Sequence, residues 1–185
     1  PRSGSDGAGY GFVRGLGHTV TPRVFPSLAP LTVEKSHPLC GLSGVTVPAM
    51  LELRSGTGKR LDSVTDSLLL THFGLSGPAA LNMSRRWTAA RVEDAGASIV
   101  INWLTGTRGE VVDRLLLESR PMGLLRWLVE APPQGSAVPG HDVSAGVPER
   151  LARHCCEAAG VDPGIQVTAL TREQRRAIVR LLTEY

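Results

Sequence analysis

The hydrophobic positions of this chain change period near residue 105, from about two to about 3.6. Before that point, runs rich in Val, Thr, Leu and Ile recur at 20–24, 28–34, 45–53, 68–71 and 98–103. Each is bounded by Gly, Pro, Ser or Asp, the punctuation expected between β-strands. The stretch 55–59 reads as a hairpin turn. About five short strands at this spacing predict a small barrel or sandwich. One helix interrupts them near Pro78, since proline is tolerated in a first helical turn, where its missing N–H had no partner.

Beyond residue 105 the pattern is helical. Thr107 with Glu110 predicts a capping box ahead of Val111, Val112, Leu115 and Leu116. Pro121 breaks that helix, and 122–129 forms a second, short one. The Pro-, Gly- and Ser-rich stretch 131–146 reads as a loop. Pro148 opens a third helix that ends at Gly160. Thr171 with Gln174 predicts another capping box, and Ile178, Leu181, Leu182 and Tyr185 share one stripe of the last helix. At the other end, 1–19 reads as a glycine-rich turn and a short helix. Ser5 or Asp6 caps it, Tyr10, Val13 and Leu16 share a face, and Gly17 takes the left-handed position that ends it. The fold class is thus α+β, an antiparallel barrel at 20–105 followed by a helical subdomain at 106–185.

Composition narrows the function classes. Aromatics are only 4% of 185 residues, so the core rests on Leu, Val and Ala. A net charge of +3 is too small to argue for nucleic acid, which needs clustered basic residues. The three cysteines, Cys40, Cys155 and Cys156, form no CxxC pair, and so sparse a set suits a reducing cytoplasm. No apolar run approaches the roughly 20 residues of a membrane span. The chain opens at Pro1 into a glycine cluster and stops at Tyr185 on a helical pattern, so both ends are expected to lie within a longer polypeptide.

Several motifs carry candidate chemistry. Gly41-Leu42-Ser43-Gly44 recurs as Gly74-Leu75-Ser76-Gly77. A nucleophile elbow needs G-x-S-x-G, and Val45 and Pro78 break both copies, so Ser76 reads better as a helix cap than as a hydrolase nucleophile. The second copy lies between a strand and a helix, where free N–H groups attract anions or polarised carbonyls; a plain, well-capped helix start has the same sequence. Gly4, Gly7, Gly9 and Gly11 fail as a dinucleotide fingerprint, because Phe12 and Arg14 interrupt the spacing. Gly58-Lys59 fails as a P-loop, with Leu53 and Arg60 at the required positions. His72 ends the most apolar strand and is either a proton donor or a structural histidine. His154, Cys155 and Cys156 are consecutive on a helix, so their side chains diverge and cannot converge on one metal. Arg172, Arg175, Arg176 and Arg180 read as a solvated face diluted by Glu173 and Glu184.

Taken in order, Gly4-Ser5-Asp6-Gly7-Ala8-Gly9-Tyr10, Leu16-Gly17-His18-Thr19, Pro26-Ser27-Leu28-Ala29-Pro30-Leu31, Gly41-Leu42-Ser43 and Thr71-His72-Phe73-Gly74-Leu75-Ser76-Gly77-Pro78-Ala79 form a recognisable series. It resembles the BaiN-like, aminoacetone-oxidase-like family of FAD-dependent flavoproteins. Pro148-Glu149-Arg150-Leu151 and Ala159-Gly160-Val161 resemble that family's helical part. The resemblance implies an insert, a translation-factor-like barrel and a helical subdomain, set within a split FAD-binding domain. Residues 1–19 would be the exit from that domain, and the domain itself would be the partner, in the same chain. The family's glycine turn carries Thr and Asp where this chain has Asp6 and Ala8.

On this resemblance the chain is a cap over the flavin, facing a small-molecule substrate, and binds no FAD tightly alone. His72 is the candidate catalytic residue, and Gly4, Ser5, Gly7, Gly74, Ser76 and Gly77 are candidates to face the flavin. No metal, membrane or nucleic acid is implied. The alternative is a non-catalytic module, a small barrel binding RNA or protein. That reading needs aromatics among basic residues on exposed strands, whereas Trp103 has no basic neighbour and Arg85, Arg86 and Trp87 are placed after the helix.

Overall fold

The computed structural model of the protein describes residues 6–130 and 146–185. Five strands form one antiparallel sheet: β1 (Leu31–Thr32), β2 (Thr46–Arg54), β3 (Arg60–Thr71), β4 (Gly74–Ser76) and β5 (Ser98–Asn102), in the order β1-β4-β3-β2-β5. β2 shows why. Val47, Ala49, Leu51 and Leu53 are buried while the residues between them stay partly exposed, the alternation of a strand with one face on a core. β2 and β3 are joined by the expected hairpin. Ser55 N–H donates to Lys59 C=O (2.8 Å), and Gly58 takes φ +83 in a turn that opens with a register shift at Leu53/Arg54.

Helix α2 (Gly77–Glu93) packs across the sheet through Ala79, Ala80 and Met83, all fully buried. Its Ser84 Oγ accepts from Ala29 N–H (3.2 Å) and donates to Leu81 C=O (2.8 Å), tying the approach to β1 onto the helix. Arg85, Arg86 and Trp87 therefore lie within this helix, not after it. The run at 20–24 forms no strand, and only Leu31–Thr32 of 28–34 does so.

Four further helices follow: α3 (Gly109–Glu118), α4 (Leu124–Glu130), α5 (Glu149–Ala158) and α6 (Arg172–Thr183). The predicted loop at 131–146 lies, except for Gly146, outside the described residues. Thr171 and Gln174 make the predicted capping box of α6. The one predicted for α3 does not form. Arg108 is its N-cap, and Thr107 turns back to donate to Leu104 C=O (3.0 Å). Asn102 holds the same turn: Oδ1 accepts from Leu104 N–H and Gly106 N–H, and Nδ2 donates to Thr107 C=O. That knot carries the chain from sheet to helices.

The last residues return to the sheet. Trp103 N–H donates to Leu182 C=O (2.9 Å), and Tyr185 and Ile101 exchange backbone hydrogen bonds of 3.0 and 3.1 Å. A single apolar cluster runs from Leu51, Leu68 and Leu70 through Trp103 and Leu104 to Leu128, Leu151 and Ile178. Cys155 and Cys156 sit within it, fully buried. Arg175 departs from the solvated-face reading, because it is mostly buried and its Nε meets Asp113 Oδ1 at 2.7 Å.

Candidate functional site

The residues singled out by the sequence fall into two groups. The first is the β3–β4 hairpin and the start of α2, which hold His72, Gly74, Ser76 and Gly77 in one continuous stretch. The tip is fastened by Thr71, whose hydroxyl donates to Gly74 C=O (2.9 Å). His72 and Phe73 are left exposed there, packed edge to face with ring centroids 5.0 Å apart. Phe73 was not singled out by sequence, since a single aromatic in a turn carries no periodic signal.

Gly74 and Gly77 have packing reasons of their own. Gly74 takes φ +141, and a β-carbon on it would overlap the Leu31 carbonyl oxygen of β1. Gly77 takes φ +82, where a β-carbon would lie 3.0 Å from both Leu69 N and Ser67 O of β3. Ser76 occupies the N-cap position of α2, yet its side chain makes no capping hydrogen bond, contrary to the capping role expected of it. Ala79 and Ala80 behind it are fully buried, while Pro78 is exposed. The open part of this region is therefore the His72–Phe73 tip rather than the backbone of the helix start.

The second group surrounds helix α1 (Ala8–Gly15). Gly7 is its N-cap at φ +83, and Asp6 Oδ1 accepts from Ala8 N–H (2.9 Å). Gly17 takes the predicted left-handed conformation, φ +86. Gly4 and Ser5 lie outside the described residues. No residue of α1 is buried, and Tyr10, Phe12, Val13 and Leu16 are exposed by 45, 73, 40 and 79%.

The first glycine-serine motif finds a different explanation. Residues Pro38–Leu42 form a 3-10 turn capped by His37, whose Nδ1 accepts from Leu39 N–H (3.3 Å). Arg150 of α5 reaches across and donates to Gly41 C=O (2.9 Å) and Ser43 C=O (3.1 Å). Arg150 clamps this turn to the helices, a role that a lone arginine does not announce in sequence.

The described sheet is antiparallel throughout, so it contains no parallel strand–glycine turn–helix to cradle a dinucleotide. The residues described here do not fit the nucleotide half of FAD. Among them no group of three or more His, Cys, Asp or Glu is placed to hold a metal, and no helix is long and apolar enough to cross a membrane.

Comparison with known proteins gives the architecture a family. Residues 25–122 match the HI0933-like protein barrel and H2TH domain. Over 101 residues, 55% of this chain, it is 33% identical to the 3-dehydro-bile acid delta(4,6)-reductase of Clostridium scindens, covering 24% of that protein. It is 28% identical over 187 aligned positions to the ribosomal RNA dihydrouridine synthase of Escherichia coli strain K12, covering 100% of this chain and 40% of that protein. The chain thus spans well under half the length of either relative. The chain, whose described residues form a curled antiparallel sheet and six helices and which carries that barrel-and-H2TH match, belongs to the BaiN/HI0933 family of FAD-dependent oxidoreductases.

Proposed function

We propose that this chain is the substrate-side cap of a flavin-dependent reductase, whose FAD is held by a separate domain of the same polypeptide. The observation that carries the proposal is the uncovered apolar surface of residues 10–28. Tyr10, Phe12 and Val13 on α1, with its C-cap Leu16 and with Val24 and Leu28 beyond it, are exposed large hydrophobics concentrated in one segment. Apolar groups gathered in this way, on a helix that buries none of its own residues, fit a surface covered by another folded body. A flanking FAD-binding domain is the partner that family membership supplies. This chain's share of the chemistry is to shape the pocket and exclude water, while the cofactor carries the redox step.

Within that reading, His72 and Phe73 at the hairpin tip are the side chains proposed to face flavin or substrate, with the Gly74, Ser76 and Gly77 backbone beside them. Gly7, with Gly4 and Ser5, is the next candidate. No catalytic base is assigned. The names of both relatives support reduction of an unsaturated ring as the reaction class.

The test uses the short chain and the full-length protein together. Residues 1–185 mixed with FAD and passed through gel filtration should emerge colourless, and the full-length protein should retain flavin. A stoichiometric yellow complex of the short chain would overturn the proposal. In the full-length protein, His72→Ala should lower turnover at unchanged flavin content.

A second reading takes RNA as the substrate. It is favoured by the E. coli relative, aligned along the whole chain and named for ribosomal RNA. On this chain, exposed Arg85 and neighbouring Arg86 line a cavity of about 580 Å³ with Ser27 and Asn82. A gel shift with single-stranded RNA that weakens steeply with salt would favour it. No shift at low salt would remove it.

A further inference from the structure

Helices α3 and α6 pack against each other, and a groove opens along their contact. Gly109 sets the close approach, since a β-carbon there would lie 3.1 Å from Val179 Cγ1 and 3.5 Å from Thr183 Oγ1 of α6. Two adjoining cavities make up the groove. One, of about 550 Å³, is lined by Arg114 of α3 and by Arg176 and Arg180 of α6. The other, of about 380 Å³, reaches the partly exposed face of β2 and is lined by Arg54, Arg60 and Arg108. Gly109, Glu110, Thr183 and Glu184 border both. We infer that this groove is a phosphate track that seats the backbone of an RNA substrate. This assignment rests on the RNA reading of the substrate and adds where its backbone would lie.

Charge balance carries it. Among the described residues, six arginines line the groove against four carboxylates, Glu52, Glu110, Asp113 and Glu184. Three of those carboxylates are already engaged. Glu52 meets Arg54 at 2.8 Å and Arg60 at 3.6 Å, Glu184 meets Arg54 at 3.4 Å, and Asp113 meets Arg175 at 2.7 Å. Arg108, Arg114, Arg176 and Arg180 are exposed and make no ion pair among the described residues. Four uncompensated guanidinium groups thus share a concave surface with one free carboxylate. A cleft lined by one sign of charge concentrates its field on a ligand of the other sign. The modest net charge of +3 concealed this, because residues 108 and 114 are distant in sequence from 176 and 180 and meet only through helix packing.

The side chains present decide the class of anion. A guanidinium presents a planar fork that fits phosphate oxygens in pairs. Neither cavity is lined by Phe, Tyr, Trp or His, so no base has a ring to stack on. The groove therefore suits backbone phosphates, which fix register without reading sequence. Its extent suits a polymer rather than a single anion. Arg60 stands two residues from Asp62, whose carboxylate meets Arg86 Nε at 2.8 Å on the border of the Arg85–Arg86 cavity. The arginines thus run from α6 past the hairpin end of the sheet to α2.

Fluorescence anisotropy of a labelled, mixed-sequence RNA hairpin, titrated with the full-length flavin-loaded protein at several salt concentrations, tests this. Arg114→Gln, Arg176→Gln and Arg180→Gln together should weaken binding roughly tenfold or more at low salt, and should lower the slope of log Kd against log salt by about 2–3. Arg176→Gln alone, at an exposed position, should lower it by about 1. Arg23→Gln, Arg120→Gln and Arg153→Gln together remove the same charge outside both cavities and should leave the slope as it is in the parent. Flavin absorbance and Tm of each variant establish that the fold is kept. Equal losses in the two triple variants overturn the inference, as does an unchanged slope in the groove variant; the RNA reading then stands with its contacts elsewhere. A parent protein that binds no RNA removes the reading and the inference together. Poly-glutamate that binds the parent as tightly as RNA, and is lost with the same three arginines, would make the groove a seat for acidic polypeptide and overturn its assignment to RNA.

Discussion

Gly74→Ala separates a packing role from a ligand role at the β3–β4 hairpin. At φ +141 the position lies outside the range that side-chain-bearing residues readily use. Strain of that kind costs about 1–3 kcal/mol. The new methyl group would also overlap the Leu31 carbonyl and lie 3.0 Å from both Thr32 Cα and Val33 N. Backbone atoms cannot rotate away as a side chain would, so β1 must separate from β4. That loses the Leu31–Leu75 and Thr32–Gly74 pairing, worth about 1 kcal/mol for each hydrogen bond broken. A total near 3 kcal/mol corresponds to a fall in Tm of roughly 6–12 °C for a chain of this size. Two controls calibrate it. Gly58→Ala, at φ +83 with nothing within 4 Å, should show only the left-handed backbone cost of about 1–2 kcal/mol. Gly41→Ala, with no positive φ and no neighbour within 4 Å, should be close to neutral. Calorimetry of the three variants gives the order directly. The packing argument is refuted if Gly74→Ala melts with Gly41→Ala, and loss of turnover at unchanged Tm would assign Gly74 to a ligand instead.

Other parts of the molecule yield independent tests. Trp127 Nε1 donates to Ser119 Oγ at 2.7 Å from a nearly buried ring, so Ser119→Ala should cost about 1–3 kcal/mol in urea denaturation, with Ser119→Thr recovering most of it. Burial holds the His154 imidazole below its ordinary pKa, with His37 acting the same way and Glu157 opposing. The folded protein therefore favours the neutral ring, and stability from this group is present above about pH 6.5 and is lost as pH falls below it. Tm should drop more steeply on acidification in the parent protein than in His154→Gln; parallel curves would count against this. Burial also pushes Cys155 to about 12 and Cys156 to about 11, leaving little thiolate at neutral pH. Iodoacetamide should modify Cys40 alone among these three in the folded protein and all three after denaturation, as read by mass spectrometry; a labelled Cys155 in the folded state would contradict the packing.

What was legible in the sequence was whatever burial writes as a period or a cap. Val47, Ala49, Leu51 and Leu53 alternate, and β2 follows. Thr171 and Gln174 stand three apart, and α6 begins between them. The first part of β3 was not legible, because Leu61 points to solvent and Asp62 and Ser63 bury no apolar face. Those residues are strand only because β2 supplies their backbone partners, a cause that side-chain pattern cannot express. The reverse error arose at 20–24, where Val20 and Val24 look β-like but Val24 is exposed and the segment joins no sheet. At the candidate site the same distinction decides how a motif is read. Gly74 and Gly77 drew notice as a flavin-facing glycine run, yet each meets a backbone atom far away in sequence or across the hairpin, which supplies a reason for glycine without any ligand. His72 is open to solvent and Phe73 packs edge to face against it while 37% exposed, and neither position carries the backbone clash that requires glycine at 74 and 77. A search for the residues that touch substrate should therefore begin with those two exposed rings, and use the glycines to ask whether the hairpin that presents them is correctly built.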